Sequence, residues 1–169
     1  MNTAGTTLAG AAIAVVILAL NLRKWWTGGR ALKDLIPTAQ GLVTGAFGTV
    51  CAGGLAGWLS GCTRQITNFG GGKAVTGTTG TDSSSPIASG SLGALTPEGG
   101  VVVFVFFCVT VAAYKSFNKE EKGKLIGGIV AGSVLCVTAG IAGMLTGLPD
   151  VANQLGDSAR AAFEGWGSL

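Results

Sequence analysis

The sequence contains few side chains that could carry catalytic or metal-binding chemistry. It has no histidine, the commonest general base and the commonest metal ligand. Its cysteines lie within or at the ends of apolar segments, at Cys51, Cys62, Cys108 and Cys136. A thiol in such surroundings packs as a small hydrophobe, and the spacing matches no zinc pattern. We therefore predict that the chain is not an enzyme and uses no metal or cofactor, with an intermolecular disulfide at Cys62 as an open alternative.

One glycine-rich stretch invites comparison with a phosphate-binding loop. The segment that ends in Gly72 and Lys73 reads GGGK, but the pattern G-x-x-x-x-G-K-[ST] fails at two positions. Thr67 stands where the first glycine belongs, and Ala74 stands where the hydroxyl belongs. We therefore predict no nucleotide site in this segment, and no direct nucleic-acid site is evident in the sequence.

The composition indicates a protein that is embedded in a membrane. Of the 169 residues, 48% are hydrophobic and only 11% are charged, and the mean hydropathy is +0.56. Soluble domains carry about 25% charged residues, so this chain has too few to cover a water-facing surface. Disorder is excluded as well, because disordered chains combine low hydrophobicity with high charge.

The charged residues leave four uncharged segments that are candidate membrane spans. About 20 mostly apolar residues cross a bilayer as a helix, and the segments 4–22, 39–62 and 125–148 meet this length. The segment 99–114 makes only roughly 24 Å of helix against a hydrocarbon core of about 30 Å. Its β-branched residues make a buried strand an alternative. We favour a helix, because an isolated strand would leave its backbone groups unpaired in lipid.

These segments predict an all-α integral membrane protein with four transmembrane helices, or three if 99–114 does not cross. The helices form two hairpins, 1–62 and 99–148, and each hairpin has an aliphatic span, a basic turn and a glycine-rich span. The basic turns are 23–34 and 115–124. The two hairpins share a pattern without residue-level identity. The pattern could reflect a duplication, or simply the way in which any membrane protein with four helices pairs its spans.

Two further segments complete the predicted organisation. The segment 63–98 is dominated by Gly, Ser and Thr, which is typical of a flexible, solvated loop. The tail 149–169 has apolar residues at helical spacing and predicts a short amphipathic helix on the membrane surface or on a partner.

The distribution of lysine and arginine predicts the orientation in the membrane. The two basic turns hold eight of these residues, whereas the segment 63–98 and the tail hold three. Because cytoplasmic loops are enriched in Lys and Arg, we expect both turns in the cytoplasm and both termini outside the cell membrane. Aromatic residues next to the predicted spans and in the tail are expected to act as interface anchors: Trp25, Trp26, Tyr114 and Trp166.

Small residues recur at intervals of three or four positions in the second span of each hairpin. The first glycine series is Gly41, Gly45, Gly53, Gly57 and Gly61, and the second is Gly128, Gly132, Gly140, Gly143 and Gly147. In lipid, such residues let helix backbones approach closely. We therefore predict that both series are helix-packing faces, either within one chain or between copies in a homo-oligomer.

The hydrophobic segments around a short basic turn, with a glycine-rich second segment, resemble conjugative pilins, most closely over 100–147. The small, charge-poor chain also resembles phage holins and the spread proteins of actinobacterial conjugative elements, which are thought to form membrane channels. These resemblances cover the hydropathy of residues 4–148 and transfer no functional residue. They imply a pore or channel, or a subunit of a larger secretion, conjugation or phage assembly.

Three functions therefore remain open from the sequence. The chain could be a self-associating protein that forms a pore or channel for DNA transfer, secretion or lysis. It could be a structural subunit of a pilin-like filament, a virion or a secretion machine. It could also be a passive membrane anchor for a partner protein. No charged residue lies inside the predicted spans, so charge-coupled transport is not expected.

Overall fold

The computed structural model describes residues 6–90 and 92–166, and in this part of the chain the regular structure is helical. The α-helices, in chain order, are α1 (Leu8–Thr27), α2 (Ile36–Val50), α3 (Gly54–Thr79), α4 (Pro97–Ser116), α5 (Lys119–Leu135), α6 (Ala139–Met144) and α7 (Gly147–Trp166). A single 3-10 turn at Leu32–Asp34 precedes α2. The prediction of an all-α protein is thus confirmed.

Two helices are long and apolar enough to cross a membrane. They are α1 and α4, each of 20 residues, which corresponds to about 30 Å of helix. The segment 99–114 is therefore helical as predicted, and α4 extends it at both ends. A third span is present only if the bent pair formed by α2 and α3 counts as one. Four spans are not shown.

The predicted span 39–62 is broken in the structure. Helix α2 ends at Val50, and α3 leaves it at an angle of 107°. The break contains Gly54 at φ +70°, a left-handed conformation that glycine adopts without the steric cost of a Cβ. Cys51, in an extended conformation, ends α2, and the Gly53–Gly54 pair forms the bend from which α3 starts, a change of direction that hydropathy alone does not register.

The predicted span 125–148 is broken as well. Helix α5 ends at Leu135, and the short helix α6 begins only at Ala139. Between them the backbone pairs with the preceding loop: the amide of Gly90 donates to the carbonyl of Val137, and the amide of Ala139 donates to the carbonyl of Ala88. These bonds replace helical ones and divert the chain.

The centre of the fold is the close, parallel packing of α2 against α5. Gly41 faces Gly128, and a Cβ built on Gly41 would lie 3.0 Å from the Gly128 Cα. Four residues later, a Cβ on Gly45 would lie 2.7 Å from the amide nitrogen of Ser133, and Gly132 faces the backbone of Leu42. Since both residue numbers rise together, the two helices run in the same direction.

Helices α1 and α4 each pack on a helix from the other predicted hairpin. Helix α1 runs antiparallel to α5: Thr6 donates to the carbonyl of Val134, whereas Ile17 lies by Gly127. Helix α4 runs antiparallel to α2 in the same way, since Val103 packs on Phe47 and Thr110 bonds to Thr44. The predicted hairpins are therefore not the packing units, because the glycine faces of α2 and α5 bring the two halves together.

This arrangement brings both basic turns to one end of the core. The helices α1 and α4 end there, and the helices α2 and α5 begin there. The aromatic residues follow the same pattern, because Trp25, Trp26 and Tyr114 lie in the last turns of α1 and α4. The opposite end holds the starts of α1 and α4 together with the helices that pack on them.

The predicted flexible loop 63–98 is wrong for its first half. Helix α3 continues through Thr79, where Gly80 at φ +70° ends it. The remainder is held by hydrogen bonds at the start of α1, since the amide of Leu8 donates to Ser85 and that of Ile87 donates to Thr6. A composition rich in Gly and Thr is a poor helix former, so the tertiary contacts of α3 decide this outcome.

An equivalent contact occurs twice in the structure, once between α3 and the start of α1 and once between α7 and the start of α4. Asn68 accepts hydrogen bonds from the amide and hydroxyl of Thr7, the N-cap of α1. Asn153 accepts the same two bonds from Thr96, the N-cap of α4. In each case a glycine three residues after the asparagine meets the outer helix, at Gly71 and Gly156. The two parts of the chain that share a hydropathy pattern therefore also share equivalent hydrogen bonds and glycine contacts.

The tail forms the predicted amphipathic helix, α7. Its small residues Ala152 and Gly156 face α4, and Arg160 bonds to both Glu98 and Glu164. The hydrogen bonds to Glu164 and Glu98, in that order, raise the pKa of Arg160. Leu148 at the start of α7 packs on the core, whereas Val151, Leu155 and Phe163 are exposed, Phe163 to 80%.

Candidate functional site

The structure divides each glycine series into a packed and an open half. The packed half is the α2–α5 contact made by Gly41, Gly45, Gly128 and Gly132. The open half has no atom within 4 Å of an ideal Cβ and comprises Gly53, Gly61, Gly140, Gly143 and Gly147. Neither series therefore lies on one continuous helix, because the chain breaks midway through each.

Gly57 is the exception within the second half of the first series. A Cβ built there would lie 2.6 Å from the carbonyl oxygen of Cys51. This glycine thus lets α3 fold back against the bend that precedes it, and its contact is inside the chain. Gly53 and Gly61 meet no atom at the position of a Cβ, and all three glycines line a cavity beside the same bend.

A first cavity of about 360 Å³ lies between α2, α3, α4 and α5. Four of the hydroxyl groups that the sequence places in apolar segments line it, namely Thr44, Ser60, Thr110 and Ser133. Thr44 and Thr110 lie 3.2 Å apart and also bond back to their own helices. The buried Ser60 hydroxyl has no partner among the described residues. Thr44 and Thr110 therefore form a hydrogen-bonded polar pair in an otherwise largely apolar wall.

A second cavity of about 540 Å³ lies against the bend between α2 and α3. One wall is a face of α3 that carries Gly54, Gly57, Gly61 and Arg64, and the other includes Ser89 and Cys136. Arg64 is only 6% exposed, although it is a charged residue in the middle of a helix. The sequence did not single out Arg64, because the predicted span ended at Cys62, two residues earlier.

The predicted interface anchors lie where cationic side chains meet aromatic rings. The guanidinium of Arg30 lies 3.7 Å from the centroid of the Trp26 ring, and the Lys122 ammonium lies 5.2 Å from that of Tyr114. The indole of Trp25 donates to the carbonyl of Ala31. Trp166 is the last residue of α7, and its side chain lies outside the described part of the structure.

The four cysteines are all free thiols and occupy different environments. Cys136 is buried, Cys51 and Cys62 are half-buried, and Cys108 is exposed on α4. Within residues 6–90 and 92–166, no group of three His, Cys, Asp or Glu side chains could hold a metal ion. The disulfide between molecules at Cys62 stays an untested alternative to the prediction of inert thiols.

Comparisons with known proteins add no relative. No protein-family model matches the chain, and neither a curated protein nor a solved structure is similar to it. Its function is therefore argued from its own geometry.

Proposed function

We propose that the chain is a self-associating integral membrane protein that builds a pore- or channel-type assembly for DNA transfer, secretion or lysis. The observation that carries the proposal is the open half of the glycine series on α6. Gly140 and Gly143 are exposed and have free space where a Cβ would be, whereas Gly128 and Gly132 of α5 are closed by α2. In lipid, open small-residue faces favour close helix contact. A second copy of the chain is the partner that we propose for them.

The outer surface supports a membrane setting for this assembly. Large apolar side chains are exposed along both α1 and α4, for example Val16 and Leu20 on α1 and Phe104 and Val109 on α4. A contiguous apolar surface of this kind is rare on soluble monomers and marks contact with lipid or protein. Both helices therefore suit a position at the lipid boundary.

The size of the cavities favours several copies around a shared axis. The hydroxyl-lined cavity of about 360 Å³ has room for waters and small solutes, but not for a macromolecular cargo. A conduit for DNA or protein would therefore be built between chains rather than through this cavity, whose hydroxyls at Thr44, Thr110 and Ser133 are buried within one chain.

A dye-release assay on liposomes tests the pore. The wild-type protein is expected to release a trapped dye, and the double variant Gly140→Leu with Gly143→Leu is expected to lose most of this release. The two leucines would hold neighbouring copies apart, because they add bulk where no Cβ existed. In size-exclusion chromatography in detergent, the double variant should also elute later than the wild type, at a volume closer to that of a single chain.

Ala12→Leu is the matched control, since Ala12 is exposed on α1 and leucine there adds the same kind of bulk. This variant should keep both dye release and the wild-type elution volume. Absence of dye release from the wild type would reject the pore. Filaments that can be sheared from cells and imaged would then favour the structural subunit. If neither dye release nor filaments are observed, the result favours the passive anchor.

The proposed orientation has both basic turns in the cytoplasm. Single cysteines at Thr27, Ser84 and Ser116 can be introduced after replacing the native cysteines by alanine, and all three positions are exposed. In intact cells an impermeant thiol reagent should label only Ser84→Cys, because eight Lys and Arg residues hold the other end inside. Labelling of Ser116→Cys without lysis would contradict the proposed crossing of α4.

A further inference from the structure

The second cavity has three features that together suit one class of ligand. The first is the burial of Arg64. A guanidinium keeps its charge under all ordinary conditions, and a charge withdrawn from water is costly unless it is paired. The one hydrogen bond of its side chain given by the structure is from Nε to the carbonyl of Ser60, at 3.4 Å. Among the described residues, no carboxylate forms an ion pair with it.

The second feature is the open start of α3. The N-cap residue is Gly53, and among the described residues no side chain forms a capping hydrogen bond there. Gly53, Gly54 and Gly57 all line the same cavity as Arg64. The amides at a helix N-terminus carry partial positive charge and bind anions, phosphate above all. Two sources of positive potential therefore line one space.

The third feature is the size and mixed character of the cavity. Its volume of about 540 Å³ is many times the roughly 30 Å³ that a water molecule occupies in the liquid. Polar side chains, Thr49, Gln65 and Ser89, line it together with the apolar Trp58 and Leu92. A group with a charged phosphate and an apolar attachment would match both kinds of lining.

We propose that this cavity binds a phosphate-bearing group, with Arg64 as its counter-charge and the first turn of α3 as additional donors. The guanidinium fork is suited to bidentate hydrogen bonding with phosphate oxygens. The phosphate could belong to a lipid headgroup or be free in solution, because both present the same oxygens. The site does not depend on the proposed pore, since every residue that forms it belongs to one chain.

Binding is measured on the full chain, purified in detergent in phosphate-free buffer. One arm measures the binding of inorganic phosphate by equilibrium dialysis. The other arm adds phosphatidylglycerol and detects retained lipid by native mass spectrometry. The wild type is expected to bind in at least one arm, and that arm identifies the source of the phosphate. Failure to bind in both arms would overturn the proposal.

Two variants and a matched control locate the site. Arg64→Gln removes the counter-charge, and Gly61→Leu fills the cavity from a position where a Cβ meets no atom within 4 Å. Each should weaken binding at least tenfold. Lys73→Gln removes an exposed cation from the same helix and should stay within twofold of the wild type. If Arg64→Gln does not fold, Gly61→Leu decides, and wild-type affinity in either cavity variant would overturn the assignment.

Discussion

Replacing Gly128 by leucine is expected to disrupt the packing of α5 on α2 strongly. The Cα of Gly128 lies against the backbone of α2, where a Cβ would stand 3.0 Å from both the Gly41 Cα and the Leu42 amide nitrogen. Backbone atoms cannot rotate away, so the two helices must separate. Overpacking typically costs about 1–3 kcal/mol, and we expect the upper end of this range or more.

The measurement is thermal unfolding in detergent, followed by tryptophan fluorescence. A loss of about 3 kcal/mol corresponds to a fall in Tm of roughly 6–12 °C for a chain of this size. Gly123→Leu is the matched control, because it makes the same substitution in the same helix where a Cβ has open space. The control should be neutral or slightly stabilising, since leucine is a better helix former than glycine. Equal Tm values for the two variants would show that α2 and α5 do not approach closely.

Replacing Gly156 by leucine is expected to release α7 from α4. A Cβ at this position would lie 2.6 Å from the carbonyl oxygen of Glu98 and 2.8 Å from the amide nitrogen of Gly99. The displacement would also break the hydrogen bonds from Thr96 to Asn153 and the ion pair between Arg160 and Glu98. Helix α7 would then lose its main attachment while the α2–α5 core stays folded.

Trypsin reports this release, because Arg160 is the one Lys or Arg residue in the tail. We expect cleavage after Arg160 to accelerate at least tenfold in Gly156→Leu, with little change in the Tm of the core. Gly165→Leu places the same residue on α7 where a Cβ meets no atom within 4 Å, and it should be cleaved at the wild-type rate. Similar cleavage rates in the two variants would mean that Gly156 is not the docking point.

The hydrophobic pattern was sufficient to predict the helical class and the two helices that are long and apolar enough to cross a membrane, although it left the crossing of 99–114 open. Helices α1 and α4 have long apolar runs and end next to basic residues, and both properties are local in the sequence. The amphipathic helix α7 was predicted for the same reason, from residues at helical spacing. Gly41 and Gly128, which the sequence singles out by their spacing of four, meet each other's backbones in the structure.

The breaks within the predicted spans could not be predicted from hydropathy. The segments 39–62 and 125–148 are uniformly apolar, and a hydropathy average does not register the φ of Gly54 or the backbone pairing of Val137 with Gly90. The helix over 63–79 was missed for a related reason. Its composition disfavours helix, but the contacts of Asn68 and Gly71 with the start of α1 stabilise it. A signal was present, since Thr-x-x-Gly and Asn-x-x-Gly each occur once in both halves at these contacts.

The sequence by itself determined which segments are apolar, where the charges lie and which residues are small enough for close helix contact. These are properties of single residues and their neighbours. Only the tertiary structure decided that α1 packs on α5 and α4 on α2, and that Arg64 is buried beside a cavity. Those outcomes depend on residues far apart in the chain, and the parallel approach of Gly41 to Gly128 selects among them because backbones can meet there without side chains between them.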